Sequence, residues 1–228
     1  MRCLSGVFEA VFQASMIYKL PPNEIRASLL GVIKIFKGEA DALSHFNLSA
    51  EGFWRSFQAI WLILVPYFIA MLAERHTLVG NMALELSAFP SGQFFFAKLS
   101  TIGLEWIMMP IALALLAGVL AIKREYSSYI IVRNWASVVM TWVFFIPTLA
   151  SIAKLISIEV VLFIQLGLLG LVVFFSFRIA RLTLQKPASF CVALVGIDFM
   201  AGLLLSQLIW KSFGPAEVVE FLSKQPIQ

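Results

Sequence analysis

The sequence predicts an all-α fold: a polytopic integral membrane bundle of five transmembrane helices with an N-terminal amphipathic interfacial segment. Three observations carry that expectation. Apolar residues make up 61% of the 228-residue chain and charged residues only 13%, with a mean hydropathy of +0.91, whereas soluble domains carry about 25% charged residues. Long apolar runs recur, each near the ~20 residues a helix needs to cross the hydrocarbon core. Basic residues gather at the ends of those runs.

This composition excludes a secreted disulfide scaffold, a nucleic-acid binder and a disordered chain. The net charge of +4 and pI near 9.2 reflect the span ends, where basic residues fix orientation. Cys3 and Cys191 lie too far apart for a metal or redox spacing. Met1 to Leu20 contains Glu9 and Lys19 and no clean apolar run with a small-residue cleavage site, so no cleavable signal peptide is expected.

Three divisions follow: residues 1–53 as a cytoplasmic and interfacial segment, 54–210 as the bundle, and 211–228 as a short tail. Within the first, Ser28 to Lys37 (SLLGVIKIFK) surrounds two lysines with six apolar side chains. It is too short to span and suits a helix in the headgroup plane, its lysines reaching toward anionic lipid. Asn47 to Phe57 (NLSAEGFWRSF) reads as a turn into the membrane, with Ser49 as cap, Glu51 in the first turn and Trp54 and Arg55 at interface depth.

The first span is Trp54 to Ala73. Pro90 to Lys98 (PSGQFFFAK) reads as an outer turn followed by an aromatic anchor. The second span is Thr101 to Ile122, closed by Lys123 and Arg124. From Trp135 to Phe177 no strong break occurs, and a continuous helix of that length would reach roughly 65 Å, about twice the hydrocarbon thickness. The chain must turn back midway, and Ser151, Lys154, Ser157 and Glu159 place the hairpin near Ala153 to Ser157. That gives a third span from Trp135 to about Ser151 and a fourth from Ile158 to Phe177, closed by Arg178 and Arg181. The fifth is Phe190 to Trp210, closed by Lys211.

Orientation follows from the positive-inside rule. Arg2, Lys19, Arg26, Lys34, Lys37 and Arg55 precede or open the first span. Lys123, Arg124 and Arg133 fall in the second connection, and Arg178, Arg181 and Lys186 at the fourth. The opposite side holds only Arg75, Lys98, Lys154, Lys211 and Lys224. The expected arrangement is a bacterial inner-membrane protein with its N-terminus cytoplasmic and its C-terminus outside.

No constellation of a membrane enzyme is present. His45 and His76 are the only histidines and cannot form a paired metal motif, and Asp41 and Asp198 are the only aspartates. Nucleophile elbow, P-loop and GxGxxG sequences are absent. The chain reads as non-enzymatic and without cofactor. Its expected partners are membrane lipids and other membrane proteins or further copies of itself.

The candidate site residues are polar groups inside the spans. Asn134, Ser137, Thr141, Thr148 and Ser151 share one face of the third span, which should meet protein or water rather than lipid. Gln165 in the fourth span is a plausible partner. Asp198 lies mid-way along the fifth span, where an ionisable group costs about 2.5–3.5 kcal/mol on insertion scales. No basic residue is expected at its depth, so a salt bridge is not foreseen. A carboxyl hydrogen-bonded to Thr141, Thr148 or Gln165 is the expectation instead. Glu105 and Glu159 are assigned to the outer half, within reach of the interface. Gly167, Gly170, Ala193, Gly196, Ala201 and Gly202 are expected to let backbones approach closely, and Pro66, Pro110 and Pro147 to kink their spans.

An N-terminal cytoplasmic amphipathic segment, five spans, a short hairpin between two of them and almost no outer tail resemble the Ypt-interacting (Yip) five-pass membrane protein family, over about Ser28 to Trp210. The place before the first span that holds a DLYGP-type signature in eukaryotic members is occupied here by NLSAEGFW, Asn47 to Trp54. The resemblance implies a non-enzymatic protein that organises or assembles membrane components. The polar stripe, the prolines and Asp198 support an alternative, a small transporter or permease.

Overall fold

The computed structural model describes residues 20–82 and 88–223; Arg2, Cys3, Glu9, Lys19 and Lys224 lie outside them. Among the described residues the chain is all-helical, and five helices are long and apolar enough to cross a membrane. The protein is an integral membrane protein.

Helix α1 (Pro22–Lys37) is specified at both ends. Proline stands in its first turn with Glu24, Lys34 and Lys37 occupy the last, and Gly38 closes it in the left-handed conformation at φ 84°. Its Ser28, Gly31, Val32 and Ile35 face is buried, against a 3₁₀ turn (Ala42–His45) and two later helices. The opposite stripe leaves Leu30, Ile33 and Phe36 exposed by 43–48%, beside Arg26 and Lys37. Lys34 folds back to Asp41 at 2.5 Å, and that ammonium holds the Asp41 carboxyl below the usual carboxylate range.

Helix α2 (Ala50–Phe57) starts as the sequence predicts. Ser49 accepts the Gly52 N–H at 3.1 Å and is itself held by the Asn47 side chain. Arg55 then ties α2 back to α1 through Glu24 at 2.9 Å, and to Glu51 at 2.5 Å. The Gln58 and Ala59 N–H groups bond three residues back instead of four, so the chain tightens between α2 and α3 (Ile60–Asn81). The first span, Trp54 to Ala73, falls within the apolar helical stretch Ala50–Asn81, which continues eight residues beyond it.

The second expected span begins earlier. Helix α4 runs Ser91–Leu116, so the PSGQFFFAK segment is its first two turns and not an outer turn with an anchor. Helix α5 (Tyr126–Ile152) begins nine residues before Trp135, α6 (Ile158–Leu184) carries Arg178 and Arg181 within its last turns, and α7 covers Ala188–Phe213. The hairpin between α5 and α6 falls at residues 153–157 as the length argument requires. The tail is not featureless: α8 (Ala216–Ser223) buries Val218 in a small cluster with Phe94 and Phe89. Pro66, Pro110 and Pro147 all lie within helices.

The spanning helices close a ring in the order α3, α5, α6, α7, α4 and back to α3. Helix α5 also carries α1 and α2 on its N-terminal half, and the largest core cluster lies there, around Trp135, Ile130, Ile131 and Phe175.

A Cβ on Gly52 would lie 1.9 Å from the Asn47 carbonyl oxygen, whereas one on Gly103 would meet open space. Gly52→Ala should therefore destabilise the protein by about 1–3 kcal/mol, the usual cost of forcing atoms into a filled site, and Gly103→Ala should not. Thermal unfolding in detergent measures both, and a wild-type midpoint for Gly52→Ala would refute the close approach.

Candidate functional site: a charge cluster and a polar groove

Asp198 does have a counter-ion. Arg133 on α5 donates from Nη2 to both carboxylate oxygens of Asp198 on α7, each at 3.3 Å. The expectation of a carboxyl without a basic neighbour is corrected. In the sequence Arg133 reads as part of a connection, because Lys123 and Arg124 close the preceding apolar run and Trp135 opens the next. It instead stands seven residues inside α5, roughly 10 Å along the axis at 1.5 Å per residue. Asp198 is ten residues inside α7, roughly 15 Å, so the long arginine stem covers the difference in depth.

Glu105 joins them. It lies mid-way along α4, not near an interface, and its Oε1 is 3.8 Å from where a Cβ on Gly202 of α7 would stand. It interacts electrostatically with both Arg133 and Asp198. Three helices thus bring two carboxylates and one guanidinium together, one turn from the buried Tyr129. With every group ionised the cluster carries one negative charge in excess. Side-chain exposure is 21% for Arg133 and 23% for Asp198.

The polar stripe does not converge on Asp198. Asn134, wholly buried, donates to Ser56 Oγ on α2 at 3.0 Å. Ser137 and Thr141 donate to carbonyls four residues back in their own helix, a common resting place for hydroxyls in apolar surroundings. Thr148 and Gln165 do pair, Nε2 to Oγ1 at 3.3 Å, which joins α5 to α6. Glu159 is exposed at the start of α6.

That last pair lies in a second feature, a groove of about 830 Å³ between α3, α5 and α6 at the end of the bundle away from α1. Thr148, Ser151 and Gln165 line it on one side and Glu74, His76 and Thr77 on another, with Lys154 on the hairpin turn. Neither Asp198 nor Glu105 lines it. The stripe therefore serves two ends of the molecule, Asn134 anchoring the N-terminal helices and Thr148 and Ser151 facing the groove.

Removing one member of the Arg133–Asp198 pair strands an ionisable group inside the membrane, at about 2.5–3.5 kcal/mol. Arg133→Met and Asp198→Leu should each lower the unfolding midpoint and folded yield, and the double variant should recover much of the loss. Simple additivity in a double-mutant cycle would refute the pairing.

No family model, curated protein or solved structure matches this chain, so its functional reading rests on its own residues.

Proposed function

We propose that this chain is a non-enzymatic, Yip-like membrane protein that organises or assembles other membrane components through contacts between spanning helices. One observation carries the reading. Gly167 and Gly170 on α6 and Gly196 on α7 face open space, with nothing within 4 Å of an added Cβ. They do not serve the close packing inside the bundle that small residues suggest, and they stand among lipid-facing side chains such as Phe163, Leu166 and Ile197. Small residues on an outward helix face let another helix approach, and backbone proximity drives association where the hydrophobic effect does not. Pairing of Asp198 with Arg133 supports the same reading, since it uses the mid-span charge for internal bracing.

The partner in this reading is a membrane helix, a second copy of the chain included. A photocrosslinking residue at Leu166 should give a discrete protein adduct in native membranes. Gly167→Leu with Gly170→Leu should weaken that association, lowering the yield of the adduct, without loss of folded protein. Lipid adducts alone from the wild type would overturn the proposal. The alternative, a small transporter using Asp198, is favoured by the second carboxylate at Glu105. It requires that reconstituted protein dissipate an imposed pH gradient and that Asp198→Asn abolish the flux; a protein indifferent to the gradient would exclude proton-coupled transport.

The basic residues along the chain support a bacterial inner-membrane location with the N-terminus cytoplasmic and the C-terminus outside. Alkaline phosphatase fused after Gln228 should be active and after Lys186 inactive, and the reverse pattern would overturn the orientation.

A further inference from the structure

We propose that the groove between α3, α5 and α6 is a binding site for one glycerophospholipid with a net negative headgroup. It does not depend on the organising role proposed above. The groove combines two surfaces that a lipid combines. One is apolar and open to the bilayer: Leu162 is 60% exposed and Leu72, Ile152 and Ile158 are each exposed by 44–46%, all four lining it. The other is polar, and it lies at the end of the helices.

The polar groups are graded with depth. Lys154 lies on the hairpin turn, at the mouth. It occupies the left-handed position (φ 58°) of a helix-ending motif in which Leu155 N–H reaches the Ala150 carbonyl. No acidic side chain pairs with Lys154 among the described residues. Glu74, the acidic group in the lining, is held by Lys98 at 2.7 Å, so the groove keeps a positive charge. Gln165 lies seven residues into α6, roughly 10 Å deeper than the helix start. Its amide donates one N–H to Thr148 and has a second to offer. The Ser151 hydroxyl has no partner among the described residues.

A phospholipid presents its acceptors in the same order. Its phosphate sits at the level of the helix ends, where Lys154 meets it. Its glycerol ester carbonyls lie one step deeper, where Ser151 O–H and the second Gln165 N–H can donate. Its acyl chains continue along Leu72 and Ile69, nine and twelve residues from the end of α3 and so deeper than Gln165, while Leu162 flanks the ester level. A volume of about 830 Å³ is within the usual span of ligand sites, about 300–1,000 Å³, and accommodates the headgroup, the glycerol and the first carbons of the chains. A free polar solute would leave the open apolar wall uncovered, and a hydrocarbon would leave Lys154 and the amide without acceptors.

Native mass spectrometry of the detergent-solubilised full chain, loaded with equal phosphatidylglycerol and phosphatidylcholine, tests the assignment. The wild type should retain one phosphatidylglycerol in preference to phosphatidylcholine. Lys154→Gln should lower that retention about fivefold, since one basic residue at a membrane surface contributes about that factor. Lys211→Gln, at a different helix end, should leave it within twofold. Leu162→Trp, which fills the groove from an exposed position, should abolish retention of both lipids while the unfolding midpoint stays unchanged. Equal retention of the two lipids, an effect of Lys211→Gln as large as that of Lys154→Gln, or retention unaffected by Leu162→Trp would each overturn the proposal.

Discussion

Two adjacent side chains on α5 hold this bundle to itself. Arg133 and Asn134 are successive residues, about 100° apart around the helix, and their side chains leave in different directions. Arg133 crosses to Asp198 on α7, and Asn134 reaches Ser56 on α2. An apolar pair would not specify one rotation and height in the same way, because dispersion between helices scarcely differs from dispersion between helix and lipid. A polar group in hydrocarbon, in contrast, is costly until it finds a partner. The two bonds therefore fix the rotation and height of α5 against both α7 and the N-terminal helices. The ring order then leaves α4 to close against α3 and α7.

The same links explain how the N-terminal segment is used. Its sequence reads as a helix lying in the headgroup plane, yet α1 has two working faces. Val32 and Ile35 seat it on the bundle, and Arg55 clamps it to α2 through Glu24. The stripe of Leu30, Ile33 and Phe36, flanked by Arg26 and Lys37, is what remains for the bilayer. Asn134 holds α2 to α5, so that stripe is carried at a set height relative to the spans. An amphipathic helix fastened in this way is packed on the bundle and is not a free anchor.

Much of this architecture was legible in the sequence, and the failures have physical causes. Length alone required the turn at residues 153–157, Ser49 was readable as a cap, and the Thr148–Gln165 pair followed from a helical stripe facing a glutamine. Two helix stops were legible from length and charge although neither carries a glycine. Ala121 and Lys154 take the left-handed position at φ 52° and 58°, where the residue type that normally marks a helix end is missing. At Ala121 the Ile122 N–H closes on the Ala117 carbonyl, so the last turn after Leu116 reaches the end of the apolar run; the misplaced bounds are the starts of α4 and α5, where Ser91 to Lys98 and Tyr126 to Asn134 are already helical. Arg133 was hidden by a similar continuity: charge and apolarity place span ends only to within a turn or two, and one arginine just inside a helix reads the same as one just outside. The glycines were misread for another reason. A small residue licenses close approach but does not say whether the approaching helix belongs to the same chain.

Polarity and size are therefore distributed in opposite senses in this molecule. The charged and amide groups of the spans turn toward one another, at Arg133 with Asp198 and Glu105, at Asn134 with Ser56, and at Gln165 with Thr148. The open glycines of α6 and α7 turn away from the bundle, into surroundings of leucine and phenylalanine. In water such an arrangement would leave the interior weak and the surface prone to aggregation. In a bilayer the polar links carry the internal specificity, while an outward glycine costs nothing until a second helix arrives to use it. In the groove between α3, α5 and α6 both tendencies meet, polar groups and exposed leucines sharing a single wall. A bilayer lipid is the molecule whose own chemistry changes from charged to apolar over the same ten ångströms.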